Sequence, residues 1–74
     1  KSGHAGAMSV FGNVLFQEGQ TVRGLAFLTA ALDKCPPKDC GWMQELQEQA
    51  FSIANEEDRR VAVALAPQVY SQTD

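Results

Sequence analysis

The sequence predicts an all-α fold of about four helices in two antiparallel hairpins. Apolar residues recur at three- and four-residue steps in separate stretches, as one face of a helix requires. Glycine, proline or capping residues punctuate those stretches at Gly19, Pro36-Pro37 and Asn55. Alternation of the strand kind is confined to Val61-Ala62-Val63, where the preceding acidic residues and the surrounding alanines favour helix instead.

Residues 1–4 are small and polar and read as a flexible N-terminal arm. The first helix is predicted over 5–18. Met8, Phe11 and Leu15 mark one face, Val10 and Val14 a second stripe, and Phe16 a third element. A helix apolar on more than one side packs against neighbours on two sides. Gly19 supplies the stop, since a left-handed C-terminal cap costs glycine nothing. Thr21 is a plausible N-cap for a second helix over 22–34, with Leu25, Leu28 and Leu32 on one face. Gly12 and Gly24 hold no side chains between the two axes, so the backbones are expected to approach closely. Glycine inside a helix costs about 1 kcal/mol relative to alanine, which calls for a packing reason.

Cys35-Pro36-Pro37-Lys38-Asp39-Cys40 is a stiff loop, because two prolines fix their own φ and exclude continued helix. Asp39 can cap a third helix over 41–54, where Trp42, Met43, Leu46, Ala50 and Ile53 recur at helical steps. Asn55 reads as the next N-cap, with Glu56, Glu57 and Asp58 on the positive end of the helix dipole. The fourth helix is predicted from Glu56 to about Ala66, with Val61, Leu65 and Val69 inward. Pro67 should kink or end it. The last residues, 72–74, form a tail.

The arrangement Met8-x2-Phe11-Gly12-x2-Leu15-x8-Gly24-x3-Leu28-x2-Ala31-x4-Pro36 resembles a tetratricopeptide repeat, a helix-turn-helix unit of about 34 residues. The likeness covers 5–38, and the Ala5/Ala7 start and the Glu18-Gly19 turn also resemble the related Sel1-like repeats. Met8 stands where Trp is usual, Phe11 where Leu is usual and Leu15 where Tyr is usual. Counting on, Trp42 falls at the first aromatic position of a second unit. Glu45 and Asp58 then depart from the pattern, so 39–71 reads as a degenerate second hairpin or cap. The resemblance implies a fragment of a right-handed α-solenoid. It also implies a groove lined by the first helix of each unit, which here places Ser9, Asn13, Phe16 and Gln17 as partner-binding residues. Asn13 matches an asparagine that in some members hydrogen-bonds the main chain of a bound peptide. Such arrays need about three units for stability, so missing neighbours, self-association or a disulfide are expected.

Composition narrows the function. A chain of 74 residues buries only about 60% of the surface it exposes when unfolded, so its stability margin is thin. The net charge is −3, and Lys1, Arg23, Lys34, Lys38, Arg59 and Arg60 form no basic stripe, against nucleic-acid binding. No apolar run approaches the length that crosses a membrane. Cys35 and Cys40 leave three readings open: a disulfide, two idle thiols, or a metal or redox role that would need further ligands. A bridge would place the chain in an oxidising compartment, the bacterial envelope or outside the cell. His4 is the sole histidine and no nucleophile elbow or phosphate-cradling loop is seen, so no catalytic residue, metal ligand or cofactor is assigned. The expected function is a non-enzymatic module binding a peptide segment or neighbouring subunit. The alternative is a structural end cap or small subunit packed permanently into a larger assembly.

Overall fold

The computed structural model describes residues 4 to 73, with side chains from Ala5 to Val69. It contains four helices: α1 (His4–Gln17), α2 (Thr21–Leu32), α3 (Cys40–Ile53) and α4 (Glu56–Thr73). Strand is absent among the described residues, so the all-α expectation holds. The Cα radius of gyration is 11.0 Å. A compact chain of this length should have about 11 Å, so both halves fold as one unit.

α1 ends in two interlocked hydrogen bonds. The Gly19 amide donates to the Phe16 carbonyl at 3.1 Å and the Gln20 amide to the Leu15 carbonyl at 3.0 Å. This pair defines the Schellman turn, which needs a left-handed residue between them. Gly19 provides it with φ +94°. The chain thus reverses in three residues, and α2 runs back along α1. The contacts show the antiparallel register: Phe16 lies against Gly24, while Gly12 lies against Gly24, Phe27 and Leu28.

The two glycines touch as expected. A Cβ built on Gly24 would sit 2.7 Å from the Gly12 carbonyl oxygen and 2.7 Å from the Phe16 nitrogen. One built on Gly12 would sit 2.9 Å from the Gly24 carbonyl oxygen. Those obstacles are backbone and cannot rotate away. Beside the crossing, Phe11 and Phe27 meet edge to face with centroids 5.0 Å apart, a geometry aromatic quadrupoles favour.

α2 is the centre of the molecule and packs against each of the other helices. Gly24, Leu25, Ala26, Phe27, Leu28, Ala30 and Ala31 are all buried along it. Burying Leu25 and Leu28 completely contributes roughly 1.5–3 kcal/mol each. Met8 and Leu15 close the core from α1, Met43 and Ala50 from α3, and Ala62, Ala66 and Val69 from α4.

The loop between α2 and α3 turns through amides of Asp39 and Cys40, both donating to the Pro36 carbonyl. The sulfurs of Cys35 and Cys40 pair across it, with Cα atoms 5.2 Å apart, inside the usual disulfide range. Two caps differ from expectation. Gln20, not Thr21, precedes the first turn of α2, and its side chain makes no capping bond. Asp39 stands at the N-cap of α3 without capping it; its carboxylate instead accepts the Trp42 indole N–H at 3.0 Å. Asn55 caps α4 as expected, its Oδ1 accepting the Asp58 amide at 2.8 Å.

The ends also move. His4 belongs to α1 rather than to an arm, and residues 1–3 lie outside the described residues. α4 does not end at Pro67 but continues to Thr73, so 72 and 73 are helix rather than tail; residue 74 lies outside the described residues. Proline removes one helical hydrogen bond. Ala62, Ala66 and Val69 lie on one helical face and are buried on both sides of the proline, and this packing carries the helix past it.

Candidate functional site

α1 and α3 run in the same direction. Gly6 approaches the Trp42 ring near their starts. At the other end, Asn13, Phe16 and Gln17 face Leu46, Gln49, Ala50 and Ile53 across a small cleft of about 70 Å³. Its floor is apolar: Phe16 and Leu46 pack partly buried against the core, and Ala50 is buried. Ile53 stands on the rim, 74% exposed.

The polar lining consists of the carboxamides of Asn13, Gln17 and Gln49. Among the described residues, none of these three side chains makes a hydrogen bond. A carboxamide both donates and accepts, so the cleft presents unused bonding capacity of both signs around an apolar floor. It carries no formal charge.

Three of the four expected partner-binding residues, Asn13, Phe16 and Gln17, therefore share one cleft. Ser9 does not join them. It is 0% exposed, and its Oγ has no partner among the described residues. Ala5, Ser9 and Gly12 follow one another at helical steps of four and three, a stripe of small residues buried on α1. That spacing was a legible signal that Ser9 packs. The second wall was not legible, because Leu46, Gln49, Ala50 and Ile53 meet α1 only after two chain reversals.

A second recess lies between α2 and α4, about 220 Å³, lined by Thr29, Ala30, Asp33, Val63, Ala66 and Pro67. The outer face of α1 adds an apolar stripe, since Val10, Phe11 and Val14 are all exposed. Among the described residues no group of three or more His, Cys, Asp and Glu side chains is placed to hold a metal ion, and no helix is long and apolar enough to cross a membrane.

Two rhizobial proteins match the entire chain. One, from Rhizobium leguminosarum bv. viciae, is named "Exopolysaccharide production negative regulator" and is 69% identical over the 74 residues. The other, from Rhizobium meliloti (strain 1021), bears the same name and is 64% identical over 74 residues. The chain spans 28% of the length of each. No protein-family model matches it, and no solved structure does.

Proposed function

We propose that this chain is a non-enzymatic interaction module of a protein that restrains exopolysaccharide production. Its tetratricopeptide-like hairpins hold a segment of a protein partner in the α1/α3 cleft. The observation that carries this reading is the ring of three unbonded carboxamides, Asn13, Gln17 and Gln49, around the floor of Phe16, Leu46 and Ala50. An extended peptide exposes main-chain donors and acceptors that such amides satisfy, while an apolar side chain fills the floor. The names of the two rhizobial relatives supply the regulatory context. The Cys35–Cys40 pair suits an oxidising compartment such as the bacterial envelope.

The exposed stripe of Val10, Phe11 and Val14 favours a second reading, in which the chain is a structural piece packed inside a larger assembly.

One experiment tests the cleft. Asn13→Ala combined with Gln17→Ala is introduced into the longer protein and expressed in a strain lacking its own copy. Both side chains project from the cleft rather than the buried core, so helicity by circular dichroism should be unchanged. Exopolysaccharide yield should rise toward that of the deletion strain. If the doubly substituted protein restrains production as fully as the parent, the cleft is not the binding site.

A further inference from the structure

The geometry points to the recess between α2 and α4 as a binding site for a cation, the ammonium or guanidinium of a lysine or arginine side chain on a protein partner. This site is separate from the α1/α3 cleft and stands whether or not that cleft binds a peptide.

Three features of the residues around it favour positive charge. Pro67 lies within α4 and has no N–H. In an α-helix the carbonyl of residue 63 would accept from the amide of residue 67, so the Val63 carbonyl is left without that bond. Val63 and Pro67 both line the recess. Across from them stands Asp33, the C-cap of α2. Its carboxylate makes no hydrogen bond or ion pair among the described residues. The end of α2 that Asp33 caps is the negative pole of its helix dipole, where cations are favoured. Thr29 adds a hydroxyl, which already accepts the Gln47 amide at 3.3 Å.

The walls suit the stem of a long basic side chain. Ala30, Ala66, Pro67 and the Val63 side chain are apolar, and the volume is about 220 Å³. Lysine and arginine bury such stems against apolar surface while their charged heads reach polar groups. Two of the chain's own cations are engaged elsewhere. Arg59 donates to the Ala54 carbonyl, Arg23 to Gln20, and Arg60 lines the adjoining surface with Glu56 and Arg59. Lys34, next to Asp33 in sequence, has an interaction of its own. With a net charge of −3, the whole molecule reinforces the local preference.

The test is a nuclear magnetic resonance titration of the ¹⁵N-labelled chain with Nα-acetyl-lysine N-methylamide. The norleucine analogue serves as a neutral isostere, and spermidine as a free polyamine. The lysine compound should shift the amides of Thr29 to Asp33 and of Val63 to Ala66 saturably, and the norleucine compound should not. Asp33→Asn, at an exposed position, should keep the spectrum dispersed and weaken binding about fivefold. Pro67→Ala returns an N–H to the Val63 carbonyl and should weaken binding in the same direction. Equal shifts from the norleucine compound would mean a plain apolar recess. Unchanged affinity after Asp33→Asn, or shifts spread evenly over Glu45, Glu48, Glu56 and Glu57, would overturn the site. Tighter binding of spermidine than of the lysine compound would overturn the assignment to a partner side chain.

Discussion

A single methyl group at Gly24 has nowhere to go. It would press on the Gly12 carbonyl and on the Phe16 backbone, both at 2.7 Å, and neither can yield by changing rotamer. The helices would have to separate, which loosens the Phe11–Phe27 contact beside the crossing. Alanine would gain about 1 kcal/mol of helix propensity, while overpacking a tight core costs about 1–3 kcal/mol or more. Gly24→Ala should therefore lower stability, by about 2 kcal/mol where backbone atoms are the obstacle. Gly41 is the control: it lies in α3, and a Cβ there meets nothing within 4 Å. Gly41→Ala should raise stability by up to about 1 kcal/mol. Urea unfolding followed by circular dichroism measures both. Equal gains at the two positions would show that the glycines do not set the helix spacing.

Among the elements, α3 is held least by burial. Only Met43 and Ala50 are buried along it, against seven residues along α2. Other links hold it. The Cys35–Cys40 pair ties its start to the end of α2, Trp42 bonds Asp39, and Gln47 bonds Thr29. Closing so short a loop stabilises by about 2 kcal/mol in the chain-entropy account. Cys35→Ser with Cys40→Ser should lower stability by about that amount. Hydrogen exchange should accelerate mainly over α3, because the α1–α2 crossing does not depend on the loop. A uniform acceleration over all helices would contradict the view that α3 is clipped rather than buried. Since α3 forms one wall of the cleft, the same substitutions test the proposed binding without touching a cleft residue.

At the scale of the molecule, the two first helices of the hairpins differ on the outside. Val10, Phe11 and Val14 are exposed on α1. Gln44, Glu45 and Glu48, each 34 residues further on in α3, are polar and exposed. One face is dressed for water and the other is not. Val10→Ser with Val14→Ser should change the unfolding free energy by less than about 0.5 kcal/mol, as exposed positions do. It should also reduce self-association of the 74-residue chain in sedimentation velocity. A large loss of stability would mean these valines are covered within the chain itself.

Local chemistry made much of this legible. Gly19 is the left-handed stop it reads as, Asn55 caps the helix it precedes, and Gly12 and Gly24 meet. Each depends on neighbours close in sequence, or on the absence of a side chain that nothing else can supply. Pro67 and Asp39 misled for the complementary reason. Proline's local penalty is outweighed by burial of Ala66 and Val69, and Asp39 had an indole within reach as well as a backbone amide. The sequence alone determined four helices, the first chain reversal and the glycine crossing. Only the tertiary structure decided that Gln49 and Leu46 complete a cleft with Asn13, and that Asp33 faces Pro67. Those pairings join residues dozens of positions apart, and no local periodicity encodes which helix faces meet.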